Sequence, residues 1–197
     1  MNYLAHFYLS QNNPGVVVGN LLGDFIKGRH FEYFPKPIYN GIVLHRFIDD
    51  YTDHFPANEA TKELLRPITG KFAGVAMDLI HDHCLGLTWP VWSEQSLPEF
   101  VSWVHQSLEA QVEYLTPEAK NLLQAMIKYQ WLLRYSTFEG LENSCFGLAR
   151  RIKHDSGLEN VPSLFKENKV FFLTEFERFF PHIVNACSEK YANFVQT

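Results

Sequence analysis

Apolar side chains recur at intervals of three and four residues through most of this chain, a spacing that predicts helices rather than strands. The clearest segment is PIYNGIVLHRFIDDYTDHF, 37–55, which opens with a proline at a favoured first-turn position. Its apolar stripe consists of Leu44, Phe47, Ile48, Tyr51 and Phe55. A helix with such a stripe must bury it against another element, so helix packing dominates the expected fold.

Start signals mark two further helices, 96–115 and 116–133, in which Ser96 and Thr116 each precede a proline and a glutamate. Strand-type alternation bounded by tight-turn dipeptides is missing from the sequence, as are internal repeats and long linkers. We therefore predict an all-α fold, one helical domain over 1–197. The other predicted helices lie within 13–28 and over 57–65, 72–86, 137–153 and 162–193, the last bent near Pro181.

The net charge, the cysteine content and the lengths of the apolar runs argue against several classes of protein. A net charge of −5 and a pI of about 6.0 give no overall field that attracts nucleic acid, so no nucleic-acid partner is expected. The three cysteines are far apart and form no CxxC pair, which argues against a disulfide framework or a zinc knuckle. Without a membrane-length apolar run or a secretory signal, we expect a cytoplasmic protein with no membrane contact.

Aspartate and histidine are concentrated in one part of the chain. Six of the seven aspartates lie between residues 24 and 82, whereas only three of the fifteen glutamates do. Asp is a poorer helix former than Glu, so short carboxylates inside helices indicate rigid positioning rather than a solvated face. Four histidines share this interval, namely His30, His45, His54 and His81, and His83 follows it directly. We therefore predict that the functional site draws on residues 24–82.

The heptapeptide MDLIHDH, 77–83, places two aspartates and two histidines on one predicted helix. At about 100° per residue, Asp78, His81 and Asp82 share one third of the circumference, while His83 points away from them. Taken alone, this pattern leaves a metal site and a solvated cap equally open.

A second helix carries a matching pair. His45 and Asp49 lie one turn apart at the border of the apolar stripe, where a ligand is both oriented and reachable. With Asp24 from a third predicted helix, this set of imidazoles and carboxylates suits Mn²⁺, Fe²⁺ or Zn²⁺. The remaining histidines are expected to be structural or exposed: His6, His30, His105 and His182.

The segment GNLLGDFIKGR, 19–29, adds a second signal. Gly19 and Gly23, four residues apart, predict either close helix packing or a ligand near the backbone. Nearby cations could hold a phosphate whose metal lies on the Asp/His cluster. These cations are Lys27, Arg29 and Arg46.

Four blocks in this order, MNYLAHFYLS, GNLLGDFIKG, GIVLHRFIDDYTDH and AMDLIHDHCL, resemble the acyl carrier protein phosphodiesterase family. The resemblance is detailed in the N-terminal half and generic in the C-terminal half. It implies a divergent HD-domain helical bundle. It also implies hydrolysis of the phosphodiester that joins 4'-phosphopantetheine to a serine of holo-acyl carrier protein, with Mn²⁺ as the preferred metal.

The resemblance also implies a ligand set. The HD pattern H…HD…D carries onto His45 and then onto His81 and Asp82. No late helical aspartate is well placed for the fourth position, so the expected substitute is Asp24, with Asp78 next.

The same resemblance implies further roles around the metal. Asp49 or Asp78 would orient the attacking water or a ligating histidine, while Arg46 and Lys27 would bind phosphate oxygens. Because carrier proteins are generally acidic, docking would need basic side chains near the site. The candidates in the Asp/His-rich half are Lys27, Arg29, Lys36, Arg66 and Lys71.

Two other functions remain open at this point. One is an HD-type phosphohydrolase that acts on a nucleotide or another small phosphodiester. The other is a non-catalytic helical binding module in which the Asp/His cluster is structural or holds a metal only for stability.

Overall fold

Helices account for nearly all regular structure in the computed structural model, which describes residues 1–196 and contains no strand in that range. The predicted all-α fold is therefore confirmed, and the helices build a single domain. Short 3-10 turns at Gly70–Phe72, Val112–Tyr114 and Leu158–Asn160 connect some of them. The α-helices are α1 Tyr3–Tyr8, α2 Pro14–Leu22, α3 Lys36–His54, α4 Asn58–Thr69, α5 Ala73–Leu87, α6 Trp89–Trp92, α7 Leu97–Glu109, α8 Pro117–Lys128, α9 Trp131–Arg134, α10 Phe138–Ala149, α11 Val161–Glu167 and α12 Lys169–Gln196.

Several predicted helices are shorter than their apolar patterns. The helix predicted over 116–133 divides into α8 and α9, because Gln130 adopts a left-handed conformation with a φ of 53°. The segment 162–193 divides at Asn168, between α11 and α12, and α12 continues through Pro181. The helix within 13–28 ends at Leu22, so Asp24 lies just beyond α2 and not inside a helix.

The closest helix pair is α2 and α3. Gly19 permits this approach, since a Cβ built there would lie only 2.0 Å from the Ile38 carbonyl oxygen. Gly41 of α3 faces it, with its Cα 2.7 Å from that same position. The sequence left close packing or a nearby ligand open for Gly19, and the structure confirms close packing.

The core of the C-terminal half is aromatic. Fully buried phenylalanines line α11 and α12 and pack against one another and against the face of α5. They are Phe165, Phe172, Phe176, Phe179 and Phe180. Through these contacts α5 is fixed against the C-terminal helices, while its other side meets α1. No helix between residues 1 and 196 has both the length and the apolarity needed to span a membrane.

Candidate active site

An open cavity of about 370 Å³ lies where α1, α3, α5 and the end of α2 meet. Its lining is dominated by carboxylates and imidazoles from segments that are far apart in sequence. The lining residues are Met1, Asn2, Tyr3, His6, Asp24, His45, Asp49, Asp53 and Asp78. Such a concentration of anionic and imidazole groups in one concave site is typical of a catalytic or metal-binding centre.

Two histidines converge on one carboxylate inside this cavity. The Nε2 atoms of His6 and His45 lie 3.1 Å from Oδ1 and Oδ2 of Asp49, respectively. The two imidazoles stack with their centroids 4.3 Å apart. Asp24 adds a fourth group, with its Oδ1 3.5 Å from Nε2 of His45. Both histidines are buried, whereas the carboxylates of Asp24 and Asp49 remain about half exposed toward the opening.

Local structure explains the position of each imidazole. His45 and Asp49 are one turn apart on α3, which brings their side chains to the same face. Gly23 provides the space for the His45 ring, because a Cβ at this position would come within 2.2 Å of it. His6 is on α1, where its Nδ1 lies 2.9 Å from Oδ1 of Asn20 in α2.

Asn20 determines which nitrogen of His6 carries the proton. Its Nδ2 donates to the His6 carbonyl oxygen at 3.0 Å and to Ser10 Oγ at 2.8 Å, so its Oδ1 must face the His6 ring and accept from Nδ1. The Nε2 lone pair of a neutral His6 is then directed at Asp49. A lone pair and a carboxylate oxygen at this separation repel each other unless a cation lies between them.

Electrostatics favour ligand-competent forms of these groups. Burial alone would raise the pKa of Asp49, but the facing His45 and His6 imidazoles outweigh it and hold that pKa well below its usual range. Burial, followed by the neighbouring His45 imidazole, lowers the pKa of His6. An ionised carboxylate beside a neutral imidazole is the state that binds a divalent metal ion.

The donor set fits such an ion. One atom from each of His6, His45 and Asp49 lies within 4.8 Å of the others, which is close to the greatest separation that two bonds of about 2.2 Å to a common ion can span. In addition, Nδ1 of His45 is buried and has no hydrogen-bond partner within residues 1–196. Nitrogen and oxygen ligands without thiolate suit Mn²⁺, Fe²⁺ or Zn²⁺.

Asp78 and Asp53 face the same cavity outside this cluster. Oδ1 of Asp78 lies 2.9 Å from the α-amino nitrogen of Met1, which is itself 4.0 Å from Oδ1 of Asp49. Burial raises the pKa of Asp78, and the Met1 ammonium opposes that rise. Asp78 is therefore a partly buried carboxyl group next to the cluster.

The structure brings together four of the residues that the sequence predicts for the site. They are Asp24, His45, Asp49 and Asp78. Lys27 is exposed and does not line the cavity. Arg46 lies across the loop that follows α2, donating to the carbonyl oxygens of Gly28 and Ile26 at 2.7 and 2.9 Å. This placement departs from the prediction that Arg46 and Lys27 bind phosphate oxygens.

His81 and Asp82, the predicted HD pair, are placed elsewhere. The His81 ring stacks on Phe179 with centroids 5.1 Å apart, and burial lowers its pKa to about 3. Asp82 accepts backbone hydrogen bonds from Asn2, Leu4 and Ala5 at 3.3, 2.8 and 3.2 Å. Both residues are almost fully buried, and neither lines the cavity. Asp82 thus holds the start of α1, the helix that carries His6.

His6 is the functional candidate that the sequence interpretation left out. It was assigned a structural or exposed role because no Asp/His spacing within its own segment drew attention to it. The one available signal was its position inside MNYLAHFYLS, the first of the four family-like blocks. His83 lies apart from the cluster, as its angle on the helix predicts, with its Nδ1 2.7 Å from the Tyr135 carbonyl oxygen.

Comparison with known proteins gives a consistent result. The family model described as acyl carrier protein phosphodiesterase matches residues 1–183. The protein of that name from Enterobacter sp. (strain 638) is 34% identical over 152 residues, which cover 77% of this chain and 79% of the relative. The protein of that name from Escherichia coli O157:H7 is 30% identical over 191 residues, 96% of this chain and 99% of the relative. No solved structure matches the chain.

Proposed function

Because the chain belongs to the acyl carrier protein phosphodiesterase family of enzymes, we propose that it hydrolyses the phosphodiester between 4'-phosphopantetheine and a serine of holo-acyl carrier protein. Water adds to phosphorus and the bond from phosphorus to the serine oxygen breaks. One proton of the water passes to that oxygen, so the products are apo-acyl carrier protein and 4'-phosphopantetheine.

The observation that carries this proposal is the convergence of His6 and His45 on the carboxylate of Asp49. These three residues, with Asp24 beside His45, are the proposed ligands of a divalent metal ion, and Mn²⁺ is the proposed ion. When bound, such an ion polarises phosphoryl oxygens and makes water acidic enough to act as a nucleophile near neutral pH. His81 and Asp82 are not proposed as ligands, since their side chains are engaged elsewhere.

The chain's own residues supply the remaining functions. Asn20 orients His6 through Nδ1 and thereby directs Nε2 into the cavity. Asp78, next to the cluster and about one third exposed, is the proposed acceptor of the proton that the attacking water loses and that the serine oxygen then receives. Asp53 adds negative charge at the same wall, which favours retention of a divalent cation.

Mass spectrometry of holo-acyl carrier protein tests the proposal. After incubation with the enzyme and Mn²⁺, we expect the carrier to lose the mass of 4'-phosphopantetheine and that compound to appear in solution. Omission of the metal in the presence of a chelator should prevent this loss. A panel of nucleotides and cyclic nucleotides under the same conditions provides the comparison. Turnover of a nucleotide with an intact holo-carrier protein would contradict the proposed substrate.

A further inference from the structure

A second depression of about 330 Å³, the α10 groove, lies on the other side of Tyr3. One of its walls is a single face of α10 that carries Asn143, Ser144, Gly147 and Leu148. Leu122 of α8 and Trp131 of α9 form apolar surface opposite. The proposed hydrolysis of the phosphodiester assigns no role to this groove.

The groove adjoins the candidate active-site cavity, because Asn2 and Tyr3 line both. Burial and then the nearby Asp24 carboxylate, which accepts a hydrogen bond from the Tyr3 hydroxyl, raise the pKa of Tyr3. Arg151 of the groove lies close enough to Tyr3 to oppose that rise. Tyr3 therefore borders Asp24 of the cavity on one side and Arg151 of the groove on the other.

The two adjoining spaces differ in charge. The cavity is lined by the carboxylates of Asp24, Asp49, Asp53 and Asp78, whereas no carboxylate lines the groove in the described part of the chain. The groove instead combines apolar side chains with neutral amide and hydroxyl groups, and its charged groups are the guanidiniums of Arg134 and Arg151. This lining suits an uncharged organic chain attached to a phosphate and does not suit a second metal ion.

We infer that the α10 groove binds the pantetheine arm of the substrate. The inference rests on the proposed function, in which the arm and the carrier serine are the two ester groups of the same phosphorus. The arm carries a geminal dimethyl group and methylenes, which match the apolar side chains of Leu122, Trp131 and Leu148. Its hydroxyl and its two amides match the polar side chains of Asn143 and Ser144.

Gly147 is the residue that keeps the groove open. It lies inside α10, where glycine is less favourable than alanine, and a Cβ built on it meets no atom within 4 Å. A large side chain at this position would therefore enter the groove without displacing the core. Gly140 on the same face offers no such test, because its Cβ would collide with the Arg134 carbonyl oxygen.

Gly147→Trp should block the arm. We expect the ratio of kcat/KM for holo-acyl carrier protein to kcat/KM for bis(p-nitrophenyl) phosphate, a diester without pantetheine, to fall by about tenfold to a hundredfold. Phe146→Trp is the matched control, since Phe146 is exposed on the same helix and does not line the groove. An equal ratio in the two variants, with both folded by circular dichroism, would overturn the inference while leaving the proposed function intact.

A direct binding measurement distinguishes failure of the groove inference from failure of the proposed function. In ¹⁵N-labelled protein titrated with 4'-phosphopantetheine and Mg²⁺, the amide signals of Ser144 and Gly147 should shift, and Gly147→Trp should abolish the shift at Ser144. Shifts without release of the prosthetic group by the wild-type protein would remove the proposed function and keep the pantetheine site. Absence of the shifts would remove the site.

Discussion

Asp49 is the residue of the candidate site that contacts both histidines. Its two carboxylate oxygens face two different imidazoles, one from α1 and one from its own helix. The spacing of His45 and Asp49 on one helix was visible in the sequence, and the structure places both in the cavity. The contribution of His6 was not visible, because helical periodicity relates residues within a segment and says nothing about which distant helix end will face them.

At the residue scale, His81 is the opposite case: the sequence predicts it for the site, but it does not line the cavity. Its position three residues after Asp78 on a helix predicts a shared face, but Asp78 lines the cavity whereas the His81 ring packs against Phe176 and Phe179. Nothing in the sequence specifies that α12 covers this part of α5. Tertiary packing therefore decided the environment of the HD pair.

This packing predicts a pH effect. His81 keeps a pKa of about 3 in the folded protein, whereas an unfolded histidine has a pKa of 6.5. Between these values the unfolded chain binds more protons, so the stability of the wild-type protein falls as the pH falls below 6.5. His81→Phe removes this loss. Relative to its value at pH 7.5, the difference in unfolding free energy between variant and wild type should grow by about 3 kcal/mol at pH 4.5.

Urea unfolding of the metal-free proteins at the two pH values measures this difference. The pKa of the neighbouring Asp82 is raised by burial to about 7 and contributes with the opposite sign, but it is present in both proteins and cancels in the comparison. A difference in unfolding free energy that is the same at pH 4.5 and pH 7.5 would show that His81 is not held neutral by its surroundings.

At the scale of elements, α1 is short, and Asp82 of α5 determines its position. Six residues form too short a helix to be stable alone, and such a short segment shows no helical periodicity in the sequence. Asp82 accepts hydrogen bonds from three backbone N–H groups at the start of α1. N–H groups at the start of a helix have no intrahelical acceptor, so Asp82 supplies the acceptor that they lack. Asp82 is therefore a positioning residue for His6, and the HD pair supports the site without lining its cavity.

Asp82→Ala tests this role. Loss of the acceptor should lower the unfolding free energy by about 1–3 kcal/mol and should also weaken Mn²⁺ binding, because α1 and His6 lose their anchor. Asp50→Ala is the control, since Asp50 is exposed on α3 and, within residues 1–196, forms its only ion pair with the exposed His54. That change should stay within about 0.5 kcal/mol in chemical unfolding. Full stability in Asp82→Ala would contradict the anchoring role.

Helix ends also show where sequence patterns are insufficient. Start signals at Ser96 and Thr116 are confirmed by side-chain caps on the backbone of Glu99 and Ala119. The ends were predicted too late, because the apolar stripe continues past residues such as Gln130 and Asn168 that interrupt the helices. For the same reason, Asp24 lies in the turn after α2 and not in the predicted helix. Its position in this turn lets it approach His45.

At the scale of the whole molecule, a chain with a net charge of −5 must present a local basic surface to an acidic carrier protein. Of the five cations predicted for docking, Arg66 is paired with Glu59. Lys27, Arg29 and Lys36 are exposed in or next to the segment between α2 and α3, and form no ion pair within the described residues. This segment follows Asp24 directly, so a carrier bound there would place its serine near the cavity.

Charge reversal of this segment tests the docking surface. Lys27→Glu with Arg29→Glu should raise KM for holo-acyl carrier protein by about tenfold at low salt, and the difference should shrink as salt screens the charges. Lys166→Glu with Lys169→Glu makes the same change in net charge at α11 and α12 and should have a much smaller effect. Equal KM values for the two double variants across the salt series would contradict a local docking surface.

The central claim is that the metal centre is built on His6, His45 and Asp49 and not on the HD pair. Calorimetric titration of Mn²⁺ into metal-free His6→Asn and His81→Phe, followed by the holo-acyl carrier protein assay, tests it most directly. His6→Asn keeps a donor toward Asn20 but lacks Nε2, so it should lose both Mn²⁺ binding and release of the prosthetic group. His81→Phe should keep both. Wild-type binding and turnover in His6→Asn, or loss of both in a folded His81→Phe, would contradict the account.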